Sequence, residues 1–160
     1  MEIRPATPAD ARGIWTVLEP IIREGETYAL DSAMGEAEAL AYWGGPGRSV
    51  FVAAEAGRIL GTAYVRANQP GPGSHVANAG YAVHPEARGR GLARSLCAHS
   101  LEAARAMGFR AMQFNFVVSS NAPAVHLWQA MGFDLVGTLP GAFRHPRLGF
   151  VDALVMFRAL

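Results

Sequence analysis

The segment Tyr81-Ala82-Val83-His84-Pro85-Glu86-Ala87-Arg88-Gly89-Arg90-Gly91-Leu92-Ala93 constrains this chain more than any other. An apolar run stops at Pro85, a turn of arginine and glycine follows, and a helical pattern through Leu92, Leu96, Ala103 and Met107 begins near Gly91. A strand is therefore expected to pass directly into a helix. The first N–H groups of a helix have no intrahelical acceptor and sit at the positive end of its dipole, so they attract a pyrophosphate. Gly89 and Gly91 let the backbone come close to such a group, and Arg88 and Arg90 add charge. A plain strand-to-helix turn with solvated arginines is the competing explanation.

The rest of the chain supplies a domain around that turn. Its 160 residues are the length of one domain, and 51% hydrophobic content is enough for a core. Glu2–Arg4 reads as a strand. Thr7-Pro8 starts a helix running to about Arg23, which Pro20 is expected to kink or end early. Ala37 to Trp43 is a second helix, and Ser49–Glu55 with Arg58–Val65 form a hairpin around Ala56-Gly57. Further strands are expected at His75–Val83, Ala111–Val118, Phe133–Gly137 and Val151–Phe157, and helices at Gly91–Met107 and Asn121–Met131. Thr138 to Gly149, with Pro140, Gly141 and Pro146, reads as an irregular loop. The fold class is α/β (α+β), one domain over residues 1–160, with a mixed sheet.

Composition excludes several functions. The net charge is +1 and spread along the chain, so no dense phosphate-neutralising patch for nucleic acid is expected. No apolar run of about 18 residues and no signal-peptide layout is present, which argues against a membrane span and secretion. The single Cys97 and the scattered histidines give no metal-ligand spacing, and one cysteine suits a cytoplasmic location. All basic residues are arginine, which removes lysine-based phosphate and Schiff-base chemistry.

Arg88-x-x-Gly91-x-Ala93 resembles the acetyl-CoA signature of the GCN5-related N-acetyltransferase superfamily, and Asn121-x-x-Ala124-x-x-Leu127-Trp128-x-x-x-Gly132-Phe133 resembles its second helix motif. The element order is also similar over the whole length. The resemblance implies six or seven strands flanked by about four helices, with the fourth and fifth strands splayed around acetyl-CoA. Backbone groups of Tyr81, Ala82 and Val83 would pair with pantetheine. Arg88, Gly89, Arg90, Gly91, Leu92 and Ala93 would hold the pyrophosphate, and the Val83 N–H would serve a developing oxyanion. The family often places a tyrosine acid where this chain has Trp128 and a glutamate base on the fourth strand, where His75–Val83 has no carboxylate. Catalysis is then expected to rest on positioning.

Asparagines stand where apolar residues would pack better: Asn78 in the fourth strand and Asn115 in the fifth, with Asn121 opening a helix as a cap or catalytic residue. Together with Gly137 to His145, these three resemble a branch of the superfamily that acetylates L-azetidine-2-carboxylate, a toxic proline analogue. That likeness assigns Asn78 to the substrate and Asn115 and Asn121 to the acetyl group and cofactor. Tyr28, Arg144 and His145 are expected to border the acceptor. The expected function is N-acetylation of a small amine in detoxification. The alternatives are a peptide N-terminal acetyltransferase and a coenzyme A-binding module without turnover, and a homodimer through the last strands is compatible with the apolar C-terminal run.

Overall fold

A computed structural model describes residues 1–160. Strand β1 (Glu2–Pro5) leads through a short 3-10 turn into α1 (Ala11–Glu24), followed by α2 (Glu36–Trp43), β2 (Ser49–Glu55) and β3 (Arg58–Ala67). Strand β4 (Val76–Val83) passes by a second 3-10 turn at Pro85–Ala87 into α3 (Leu92–Ala106). The chain ends with β5 (Ala111–Val118), α4 (Ala122–Ala130), β6 (Asp134–His145) and β7 (Gly149–Ala159). The seven strands form one sheet in the order β1-β2-β3-β4-β5-β7-β6, in which only β4 and β5 run parallel. No helix is long and apolar enough to cross a membrane.

The period-2 alternation of each strand divides the core into two layers. Ile14, Val17, Leu18 and Ile21 of α1 and Trp43 of α2 pack on Val52, Tyr64 and Ala82 of one face. Cys97 and Leu101 of α3 and Trp128 of α4 pack on Phe51, Val65, Met112 and Phe114 of the other. Burial pushes the Cys97 thiol up to about 11, which makes it an inert core group. At the start of α1, Asp10 is 8% exposed and accepts two bonds from Arg4 (2.8 and 2.9 Å) and one from the Thr7 N–H (2.7 Å). The Arg4 bond holds this carboxyl well below its usual range and ties β1 to the first helix.

Two expectations change. Helix α1 reaches Glu24, close to the expected Arg23, but it begins at Ala11 after a 3-10 turn at Pro8–Asp10. Pro20 does not end it early, because the Thr16 carbonyl that loses its donor lies on the exposed side of the helix. The segment 138–149 is not an irregular loop. Strand β6 continues through it to His145 and pairs with β7 as far as His145–Gly149. Pro140 and Gly141 sit inside a register shift between Leu139 and Phe143, where a strand tolerates both, and Asp152 Oδ1 accepts the Gly141 N–H at 2.9 Å to close the bulge. Asp152 thereby holds the bulge.

Candidate active site

Strands β4 and β5 are paired only at Val76–Ala111 and Ala77–Met112, and diverge beyond. The first step past the fork is bridged by a side chain: Asn78, 7% exposed, donates Nδ2 to the Gln113 carbonyl at 3.0 Å and accepts from Arg66 Nε at 3.2 Å. Farther along, aromatic rings hold the fork open. Trp128 packs on Tyr81 and Phe114, with ring centres 4.9 and 5.1 Å apart, and the Tyr81 hydroxyl is anchored to Ser100 of α3 at 2.6 Å. A cleft of about 610 Å³ opens between the strands.

Backbone alternation decides what β4 shows to this cleft. The Asn68 N–H donates to the Val76 carbonyl and the His84 N–H to the Leu60 carbonyl, each at 2.8 Å, so even-numbered residues of β4 turn their amides toward β3. Ala79, Tyr81 and Val83 therefore aim theirs into the split. Ala82 pairs across from Thr62 and offers its backbone to β3 instead. The Tyr81 carbonyl already accepts the Tyr28 hydroxyl. Burial, with Tyr64 and Tyr42 nearby, raises the Tyr28 phenol well above its usual value. Burial also raises Tyr81 and lifts Tyr64 to about 12, so these groups are donors and not bases at neutral pH.

The line of β4 continues into the turn. Gly89 and Gly91 have φ of +76° and +79°, and an added Cβ at either would meet nothing within 4 Å. Glycine is required there by backbone conformation, not by crowding within the protein. The N–H groups of residues 89–94 donate to no protein acceptor, and the first bond of the helix is Ser95 N–H to the Gly91 carbonyl. This is a concave row of free donors at a helix N-terminus, which suits a pyrophosphate. Leu92 contributes its N–H alone, since its side chain is 2% exposed in the core. Arg88 and Arg90 are held by exposed ion pairs to Glu24 (3.2 Å) and Glu55 (2.8 Å), contacts weak enough for an anion to displace.

The other predicted residues are placed unevenly. Asn115 lines the cleft, accepting from Gln113 Nε2 at 2.9 Å and donating to Asn68 Oδ1 at 2.6 Å. Asn121 caps α4, with Oδ1 accepting the Ala124 N–H at 3.4 Å, and also lines the cleft. His145 lines it too, but its Nδ1 accepts the N–H groups of Arg147 and Leu148 (both 3.1 Å) and so holds the β6–β7 turn. Arg144 lies in a neighbouring groove that Tyr28 also borders. Reasoning from sequence missed Arg66, Asn68, Tyr64 and Gln113. A signal was present: Thr62-Ala63-Tyr64-Val65-Arg66-Ala67-Asn68 alternates polar or aromatic with apolar residues, which puts the former on one face of β3.

The site is a sheet opened between two parallel strands, with free amides at one end and a polar wall at the other. The chain belongs to the Acetyltransferase (GNAT) family, whose profile matches residues 15–133. It is 35% identical over 98 residues to the N-acetyltransferase aca1 of Schizosaccharomyces pombe; this covers 61% of the chain and 47% of that protein, so the match spans about half of the relative's length. Among solved structures it is similar to a GCN5-related N-acetyltransferase from Kribbella flavida (44% identity, TM-score 0.94, 99% of this chain and 97% of that one). It is also similar to a GNAT-superfamily phosphinothricin acetyltransferase from Sinorhizobium meliloti in complex with acetyl-CoA (25% identity, TM-score 0.86, 99% and 88%).

Proposed function

We propose that this protein is an acetyl-CoA-dependent N-acetyltransferase that delivers the acetyl group by direct attack to a small amine, an amino acid or a toxic proline analogue such as L-azetidine-2-carboxylate. One observation carries the reading: the outward amides of Ala79, Tyr81 and Val83 run straight into the free N–H row of residues 89–94. A thioester with a pantetheine arm and a pyrophosphate needs that sequence of partners. The β4 edge orients the arm, the turn at Gly89–Ala93 holds the diphosphate, and the Val83 N–H faces the split, where the thioester oxygen gains charge. The amine nitrogen bonds to the acetyl carbon, the carbon–sulfur bond breaks, and the amine proton ends on solvent or the thiolate. No carboxylate lines β4, so the side chains of that strand contribute position and hydrogen bonds. Asn115 and Asn121 lie at the cleft wall where acceptor and acetyl group would meet, and Trp128 supports the arm through packing.

The walls favour a small acceptor. Glu26, in the segment after α1, is ion-paired with Arg147 in the β6–β7 turn, which ties together the two segments that border the acceptor end. A peptide acceptor needs that end open. Coenzyme A release from acetyl-CoA across free amino acids, cyclic imino acids, polyamines, aminoglycosides and short peptides tests the proposal. A cyclic imino acid or other amino acid is expected to give the highest kcat/KM. Preference for peptides would transfer the assignment to a peptide acetyltransferase, and binding without turnover on any amine would leave a coenzyme A-binding module.

A homodimer through β6 forms part of the same proposal. Strand β6 is an open edge of the sheet, and Leu135, Val136, Leu139, Leu148 and Phe150 of this hairpin are exposed. Light scattering of the purified protein is expected to give twice the chain mass, and Val136→Glu is expected to halve it.

A further inference from the structure

The wall of the cleft on the α1–α2 side holds a positive charge that nothing in the protein balances. Arg66 is half-buried and lines the cleft; it uses only Nε, toward Asn78, and its two terminal nitrogens have no partner. The register that pairs Ser49 with Val65 sets Arg48 opposite Arg66 at the same end of the sheet. Like charges at facing positions cost stability. Arg48 lies between the rings of Tyr42 and Tyr64, 4.6 Å from each centre, and its buried Nη1 has no hydrogen-bond partner. Neither arginine meets a carboxylate. The carboxylates that do line the cleft, Glu24 and Glu26, are already paired with Arg88 and Arg147. An unengaged guanidinium fork at a half-buried wall matches a carboxylate in shape and charge.

We propose that Arg66 is the specificity-determining residue for the acceptor: its terminal nitrogens bind a carboxylate that the acceptor carries beside its amine, with Arg48 adding positive charge from across the strand pair. This rests on the acetyltransferase reading and sharpens it, since it favours amino or imino acids as acceptors over their amides and the corresponding plain amines. Asn78 then acts as a positioning residue, because its Oδ1 fixes the Arg66 Nε and leaves the fork free.

The test compares L-proline-type imino acids with their carboxamides as acceptors. Wild type is expected to favour the carboxylate by about 10- to 100-fold in kcat/KM, the range for a hydrogen-bonded charge pair. In Arg66→Gln the ratio is expected to collapse to about one, mostly through KM for the acceptor, with KM for acetyl-CoA unchanged. Arg66→Lys is expected to keep part of the preference, which a merely structural role would not do. Equal losses on both acceptors, or a wild type that prefers the carboxamide, would overturn the proposal. A readout independent of turnover separates it from the function on which it rests. With coenzyme A present, N-acetyl-L-proline is expected to shift the Arg66 Nε–H resonance, and N-acetyl-L-prolinamide is not. Absence of coenzyme A release on every amine, together with that selective shift, would remove the transferase reading and keep the carboxylate site. No shift with either probe would remove the site.

Discussion

Gly91→Val is expected to weaken coenzyme A binding by about 100-fold while changing the affinity for pantetheine by less than about threefold, read by titration calorimetry with each ligand. Gly91 sits at φ +79°, a region that costs a β-branched residue of order 1–3 kcal/mol. The chain relieves that strain by moving the turn. An added Cβ touches nothing within 4 Å, so the core of the protein is not disturbed, and the consequence falls on the free N–H groups of residues 89–94. Two misdirected bonds to a charged diphosphate amount to about 3 kcal/mol, or roughly 100-fold. Pantetheine has no diphosphate and relies on the β4 edge, which the substitution leaves in place. An equal loss for both ligands would mean that the turn does not hold the phosphates.

The second large effect is on stability. Phe114→Ala is expected to cost about 3–5 kcal/mol, seen as a lower urea midpoint at unchanged m-value. Phe114 is 5% exposed on β5, stacked on Phe133 with ring centres 4.2 Å apart and edge-on to Trp128 and Tyr81 at 5.1 and 5.8 Å. It touches all three of the other rings, so truncation opens a cavity at the point where β4 and β5 diverge. A loss below about 1 kcal/mol would show that the fork is held by something other than this aromatic cluster.

Much of this was legible in the residues, for local reasons. Strands β2 and β5 have the bounds expected from their apolar runs, and α2, α3 and α4 fall within about a residue of their periodic patterns, whereas α1 begins at Ala11, after a 3-10 turn at Pro8–Asp10. The strand-to-helix turn at Arg88–Gly91 was legible because its signal is contiguous: glycines at the left-handed positions, arginines beside them and a helix behind. Strand β6 was not, because Pro140 and Gly141 signal a break when read locally. Only the register against β7, closed by Asp152 eleven residues on, turns that break into a bulge.

The polar wall of the cleft shows the same limit. Asn78 and Asn115 stood out as amides in apolar strands, yet the sequence does not disclose that their partners are Arg66, Gln113 and Asn68. Those contacts join residues 12, 35 and 47 positions apart, together with the neighbour two residues away on β5. The alternation along β3 marks a polar face, but only the strand order sets that face beside the fork. Trp128 illustrates the converse. Its place in a helix motif drew attention to the missing phenol, and the structure gives the indole a packing task between Tyr81 and Phe114.

In the proposed function the β4–β5 split and the turn after it form one continuous binding surface for coenzyme A. Backbone amide spectra recorded with and without coenzyme A test it most directly. The largest shifts are predicted at Tyr81 and Val83 on the β4 edge and at Gly89, Gly91 and Ala93 in the turn, with Ala82 and the β6–β7 hairpin little changed. Shifts concentrated on the hairpin, or on Ala82 and its β3 neighbours instead of the outward residues of β4, would contradict it.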